Sequence, residues 1–469
     1  MRFRGAIESE DLDLVRDLIH SDSSLQDRVG LDGYTALQHA ARHGKVKTAL
    51  LLLHRGSNIG AVNRHGTALH VACYWGQTDM VQFLLSNSRS SQDVNSKDER
   101  GDTPLLSVLR SGPISAQLAV ARLLLEDTRV FADTKDRNGR TPLSLAAARE
   151  DVAAVPVVKV LLGHDRIDIG ARDNRERTPL SWAASRGSAG VVKTFLQHGR
   201  GVDVNAADAG GRTPLSWALD RAWGPEAEMV VKLFLQHDGI DANAKDNNGR
   251  TPLLCAAGQC SPEVVNLFLR CGLGVDVNAK DARGRTPLSR ATSRAGGPGD
   301  VLVVKTLLGH DGTDRDAKDI EGRSPLSWAA RECGNAMVVN AFLEYGVGID
   351  LDAKDNGGRT PLSWAAEKNH SSVVQLFLQR GLGVDVNAKD AIGRTPLSWA
   401  AAREFPEAAL VVRLFLAHGG TEVNAKDNRG RTPLSWAAAR TDREKEGVVK
   451  ALVEHGGVVG RLSAEDLRS

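Results

Sequence analysis

Apolar and polar positions alternate along the 469 residues in a pattern that keeps returning. It is clearest from Asp385 to Gly419. A Val-Asn-Ala-Lys-Asp run leads through two variable residues to Gly-Arg, then Thr-Pro-Leu-Ser-Trp-Ala-Ala, a loop, and Leu-Val-Val-Arg-Leu-Phe-Leu before His418-Gly419. Asp390 to Gly393 reads as a turn, because Asp bonds its own nearby backbone and Gly tolerates the conformation needed before a helix. Thr395 then suits a helix N-cap and Pro396 the first helical position, where a missing N–H costs nothing. Leu397, Ala400 and Ala401 stand three and four apart and give a small-residue face for close helix packing. A second helix is predicted with Leu410, Val411, Leu414 and Phe415 as its apolar face and Gly419 at its end.

The Thr/Ser-(Pro/Ala)-Leu anchor begins at Thr35, Thr67, Thr103, Thr141, Thr178, Thr213, Thr251, Thr286, Ser324, Thr360, Thr395 and Thr432, a period of about 36 residues. Neither helix of one unit can bury its apolar face alone, so neighbouring units must stack. The expectation is an all-α solenoid of helix-turn-helix units with short hairpin-like turns, forming a single elongated array over residues 1–469. Residues 1–34 would be a partial N-terminal capping repeat, 35–456 about twelve repeats, and 457–469 a C-terminal tail. In the capping segment Ala6-Ile7 precedes a second helix carrying Leu12, Leu14, Val15, Leu18 and Ile19.

This unit resembles the ankyrin repeat. The Thr-Pro-Leu-x-x-Ala anchor, the helix pair and the Asp-Val-Asn-Ala lead into the hairpin are similar to that family's pattern, most closely at Thr35-Ala36-Leu37-Gln38-His39-Ala40-Ala41 and Thr67-Ala68-Leu69-His70-Val71-Ala72. The residue after the anchor Leu is commonly His in the family and is mostly Ser here, followed by Trp. That Ser-Trp pair resembles arrays in large fungal multidomain proteins, where such arrays often follow a nucleotide-binding switch domain. The longer period places extra residues in loops at the rim, as from Ala222 to Glu226, from Ala295 to Asp300 and at Gly199 to Val202.

Composition narrows the function. Aromatic residues are only 4%, so Ala, Val and Leu must fill the core, which suits closely packed helices. Lys plus Arg is 60 against 58 for Asp plus Glu, a net charge of +2, which argues against a bulk nucleic-acid binder while allowing a local basic stripe. Five scattered cysteines, Cys73, Cys255, Cys260, Cys271 and Cys333, argue against a disulfide framework. The N-terminus Met1-Arg2-Phe3-Arg4 lacks the apolar run of a secretory signal, and no uncharged apolar stretch reaches a membrane span of ~18 residues. A cytoplasmic or nuclear location is expected.

Several features imitate active chemistry. Asp241-Ala-Asn243-Ala-Lys245-Asp246 begins like a calcium loop, but its fifth position is Lys245 and its twelfth Pro252, where oxygen ligands are required. Seven histidines, His54, His164, His198, His237, His310, His418 and His455, end second helices, where the dipole favours them; stacked repeats would hold them too far apart to share a metal. Cys255, Cys260 and Cys271 lack zinc-finger spacing, and Cys255 takes a position otherwise held by Trp. Trp182, Trp217, Trp328, Trp364, Trp399 and Trp436 share one repeat position and read as packing between repeats. The chain has no Gly-Lys-Ser/Thr phosphate loop, no HExxH and no Gly-x-Ser-x-Gly elbow. No catalytic residue, metal or cofactor is expected, and the chain is not read as an enzyme.

Two basic columns are the candidate site. One residue before the anchor stand Arg140, Arg177, Arg212, Arg250, Arg285, Arg323, Arg359, Arg394 and Arg431; after the first helix stand Arg149, Arg186, Arg221, Arg294, Lys368, Arg403 and Arg440. By the resemblance, the first column occupies a turn position facing the concave, recognising side. Stacked, the columns form stripes able to grip carboxylates or phosphates in two-pronged fashion. Alternatively, the turn aspartates beside the first column, from Asp136 to Asp427, neutralise it, leaving a solvated, partly paired ladder. The expected function is a monomeric protein-interaction scaffold in signalling, its partner an acidic protein segment held on the concave surface of turn tips and first helices. The alternative is a regulatory or sensor fragment of a larger nucleotide-binding switch protein.

Overall fold

The computed structural model describes residues 2–458 except 187, 221–223, 260, 294–296, 335, 346–347, 380–382, 406–407 and 444. Among the described residues every regular element is helical, and the helices come in pairs joined by hairpin-like turns. The chain forms two compact units, Met1–Asp241 and Ala242–Ser469. Most of the proposed tail, 457–469, lies outside the described residues.

The anchors form caps as expected. All twelve hydroxyls accept the backbone N–H of the residue three positions on, from Thr35 with Gln38 at 3.3 Å to Thr432 with Ser435 at 3.3 Å. From Pro104 onward a proline takes the first helical position. Thr395 is buried, and its hydroxyl also meets that of Ser398 at 3.1 Å. Thr395→Ala is therefore expected to cost about 1 kcal/mol, read as a lower urea midpoint; Thr395→Ser should cost less, and equal losses would remove the cap as the cause.

The first unit runs from Arg2–Ser9 to Pro225–Leu235 and seats Phe195 and Phe234 in its core. Its capping segment holds a first helix as well as the expected second one, Leu12–Ser21, with Ala6, Ile7, Val15 and Ile19 buried. A short extra helix, Ser91–Asn95, stands before the third anchor. The second unit runs from Pro252–Gln259 to Lys445–Glu454, with Phe268, Phe342 and Phe415 fully buried. Its Ser324 repeat ends the first helix in a π-helical turn, Ala329–Cys333.

Two expectations change. In Ala408–Ala417 the buried face is Ala408, Val411, Val412 and Phe415, whereas Leu410 is 45% exposed. Those four stand at i, i+3, i+4 and i+7, the stripe a packed helix presents. The segments expected as rim loops partly extend second helices: Pro225 and Pro298 each occupy a first turn, so Glu226 and Asp300 are helical.

Candidate functional site

Each turn is built around its aspartate. In the repeat of Thr178, Asp173 Oδ1 accepts the backbone N–H groups of Arg175 (2.8 Å) and Arg177 (3.0 Å), closing the hairpin tip. Its Oδ2 accepts Arg177 Nε at 3.2 Å and Trp182 Nε1 at 3.1 Å. One carboxylate thus gathers the residues four and nine positions on. The arrangement returns at Asp319, which takes Arg323 Nε at 3.2 Å and Trp328 Nε1 at 3.0 Å. The indole N–H also donates to the turn aspartate at Trp217, Trp364 and Trp399. Successive tips are tied by backbone bonds, such as Asn174 N to Asn138 O at 3.0 Å and Ala391 N to Gly357 O at 2.9 Å.

The guanidiniums then stack on the indoles. In the first unit Arg177 lies 3.6 Å from the ring centroid of Trp182 and 5.4 Å from that of Trp217, and Arg212 lies 3.3 Å from Trp217. In the second unit Arg359 sits between Trp364 (4.4 Å) and Trp399 (3.7 Å), and Arg394 between Trp399 (4.4 Å) and Trp436 (3.5 Å). Arg431 follows at 3.8 Å from Trp436. Each such contact contributes ~0.5–2 kcal/mol, more as water is excluded. The tryptophans join repeats, as their spacing implies, through cations rather than through apolar neighbours alone.

Most of the first column carries a carboxylate within its own repeat. Arg140 pairs with Asp136, Arg177 with Asp173, Arg250 with Asp246, Arg285 with Asp281, Arg323 with Asp319 and Arg431 with Asp427. Arg212 reaches Asp220 and Arg359 reaches Glu367. Among the described residues Arg394 has no carboxylate within ion-pair distance and its Nε is buried without an acceptor; burial, then the charge of Arg431, lowers its pKa to about 10. In the second column Arg149 pairs with Asp151, Arg186 with Glu150, Arg403 with Glu367 and Arg440 with Asp442. Arg221 and Arg294 lie outside the described residues.

Repeat register exposes features that the sequence alone did not reveal. Arg290 takes the Trp position in its repeat, and among the described residues its side chain makes no ion pair or hydrogen bond; burial lowers its pKa, with Arg285 and Arg250 adding to the effect. Its side chain lies over Gly258, where a Cβ would stand 2.9 Å from Arg290 Nε. Cys255, in the preceding repeat, is half-buried at the same position.

At the N-terminal end each of the two columns carries one aromatic residue. Tyr34 stands where later repeats carry the first arginine, and Trp75 where they carry the second. Tyr34 stacks on His65 at 4.1 Å, and Arg42 lies 4.6 Å from the Trp75 ring. A cavity of about 300 Å³ opens here among Tyr34, His65, His70, Tyr74 and Trp75, with Arg64, Asp98 and Arg100 also lining it. Tyr74 and Trp75 remain 46% and 39% exposed.

Cys73 and Cys271 are free thiols. Burial pushes the Cys73 thiol well above its ordinary range. Among the described residues no helix is long and apolar enough to cross a membrane.

Comparison with known proteins agrees with this architecture. The family model described as ankyrin repeats (3 copies) matches residues 3–98, 88–173, 153–246, 222–319, 294–390 and 382–461. The chain is 29% identical over 160 residues to the E3 ubiquitin-protein ligase XB3 of Oryza sativa subsp. japonica, covering 31% of this chain and 34% of that protein. It is 31% identical over 118 residues to ankyrin repeat and SOCS box protein 6 of Mus musculus, covering 25% of this chain and 27% of that relative. The chain therefore spans well under half the length of these relatives. The crystal structure of the ankyrin repeat domain of Bcl-3 aligns with a TM-score of 0.42 and 27% identity, covering 52% of this chain and 100% of that one. With capped helix pairs, hairpin tips and family matches running from residue 3 to residue 461, the chain belongs to the ankyrin-repeat family.

Proposed function

We propose that the chain is a non-enzymatic protein-recognition scaffold that holds a partner segment on the face formed by turn tips and first helices. Ankyrin repeats are generally protein-interaction modules, and the internally satisfied Asp–Arg–Trp network keeps this face rigid, so little entropy is lost on binding. The observation that carries the reading is the half-exposed aromatic cavity of Tyr34, Tyr74 and Trp75, lined also by Arg64, Arg100 and Asp98. Aromatic and arginine side chains around a pocket are the usual energetic centre of a protein interface. In the Ala242–Ser469 unit, Arg394 and Arg290 (the latter at the Trp position) are the guanidiniums offered to a partner's carboxylates, because the other described arginines of the two columns are occupied within the fold. The partner is accordingly acidic, with an apolar anchor, and the scaffold works as a monomer in a reducing, cytoplasmic or nuclear compartment.

The test begins with crosslinked capture from lysate and identification of one partner, whose affinity is then measured directly. Trp75→Ala should weaken that partner by about tenfold or more. Arg290→Gln with Arg394→Gln should weaken it by a smaller factor and flatten its salt dependence. Loss with Trp75→Ala alone would remove the acidic-partner reading, and unchanged affinity in both variants would remove this face as the binding surface.

A further inference from the structure

The first anchored helix carries two histidines one turn apart. His39 lies on Ala36–Arg42 and His43 is its C-cap, so both point to one side. Glu8, on the preceding helix Arg2–Ser9, faces them. One ring nitrogen of each histidine and one Glu8 carboxylate oxygen all lie within 4.8 Å of one another. In repeat register His39 occupies the Trp position and His43 the position of the second basic column, so this trio replaces the Arg–Trp stack at the array's first repeat.

The surroundings are those of a metal-binding histidine. His39 is 5% exposed, and its Nε2 lies 2.8 Å from Asp32 Oδ2. Donation of the Nε2 proton to that carboxylate leaves the lone pair on Nδ1, which is buried with no hydrogen-bond partner. His43 Nε2 is likewise without a hydrogen-bond partner and lies 3.5 Å from Glu8 Oε1. Burial lowers the pKa of both imidazoles, which favours the neutral, ligating form at neutral pH. A carboxylate holding the far nitrogen of a ligating histidine is the usual outer support of a metal centre.

We propose that Glu8, His39 and His43 bind a divalent transition-metal ion of the zinc class, with Asp32 orienting His39 and a water completing a tetrahedral set. Two imidazoles and one carboxylate suit such an ion, whereas calcium and magnesium need more oxygens. The ion displaces Arg4, whose Nε is 2.7 Å from Glu8 Oε1 and whose Nη1 is 3.0 Å from Asp32 Oδ2. The Arg4 side chain is 48% exposed and can turn into water. Its guanidinium serves as the resident cation of the metal-free form. Binding clamps the helix Arg2–Ser9 to the first anchored helix and raises stability by linkage.

The experiment uses the whole protein after chelator dialysis, titrated with Zn2+ by calorimetry and with Co2+ by visible absorption. One equivalent should bind, with the intense d–d bands of tetrahedral cobalt. His43→Gln and Glu8→Gln should abolish those bands, and Asp32→Asn should weaken binding by about 10-fold or more. Arg4→Gln should tighten it several-fold by removing the competing cation, an effect that a merely structural Arg4 would not produce. Circular dichroism confirms that each variant is folded. Absence of a one-equivalent phase overturns the proposal, as does binding that His43→Gln and Glu8→Gln leave unchanged.

Discussion

Replacing Asp173 by alanine is expected to lower the stability of the Met1–Asp241 unit by about 3–5 kcal/mol. The carboxylate is 5% exposed and accepts four hydrogen bonds, two from backbone N–H groups of the turn, one from Arg177 Nε and one from Trp182 Nε1. Its loss leaves a guanidinium sandwiched between Trp182 and Trp217 without its counter-charge, and the turn without its closing acceptor. Asp173→Asn should be nearly as damaging, because an amide that accepts the backbone pair through its oxygen must point its NH2 at two donors. Trp182→Phe removes one donor and should cost only about 1 kcal/mol. Pairing Asp173→Ala with Arg177→Met should recover part of the loss, since the orphaned charge is then gone. Urea unfolding, read at the transition of this unit, with amide exchange across the Pro179–Arg186 helix, measures the effect. A loss below about 1 kcal/mol for Asp173→Ala would mean that water replaces the carboxylate and the ladder is incidental to stability.

The parts legible in the sequence are those decided by a few adjacent residues. A Thr followed by Pro caps a helix wherever it stands, so twelve helix starts follow from twelve anchors. The inward face of a second helix is different. In Leu-Val-Val-Arg-Leu-Phe-Leu six of seven positions are apolar, so more than one stripe is available, and the neighbouring helix selects Val412 over Leu410. The arginine column was visible as a column, and so were the aspartates and tryptophans. That one carboxylate joins residues four and nine positions on depends on the hairpin folding back over the helix start, a geometry no linear spacing displays. Glu8 stands 31 residues before His39, and only His39-x-x-x-His43 gave a local hint of that trio. Tyr34 and Trp75 stand at positions that are arginine in most later repeats, which is legible only after the repeats are aligned.

Replacing Asp133, Asp316 and Asp352 by asparagine is expected to stabilise the protein at neutral pH. These residues stand eight positions before an anchor, where most other repeats carry Asn. Asn278 shows what the position does: its Oδ1 accepts Asp314 N at 2.8 Å and its Nδ2 donates to Gly312 O at 2.8 Å, joining one repeat to the next. Asn387 repeats both bonds with Glu422 N and Gly420 O. The aspartates keep the first bond only. Asp316 Oδ2 accepts Asp350 N at 3.1 Å and Asp352 Oδ2 accepts Asp385 N at 2.9 Å, while Asp133 accepts Asp168 N. The other oxygen, Oδ1, is buried without a partner in all three. Burial, reinforced by the like charge of the next repeat's aspartate, raises all three pKa values. A raised folded pKa means that the stabilising contribution is complete below the unfolded value of ~3.9 and is lost as pH rises through the folded one. Ionised at neutral pH, these carboxylates weaken the fold, and an amide restores the missing donor with no charge to bury. Each substitution should add about 1–2 kcal/mol at pH 7, Asp133→Asn in the first unit and the other two in the second. The advantage should shrink as pH falls into the carboxylate range, where protonated aspartate can donate in the same place. Urea midpoints at neutral and acidic pH separate the outcomes: a gain that does not depend on pH would assign the effect to helix or turn propensity, and no gain at pH 7 would mean that water reaches the orphaned oxygens.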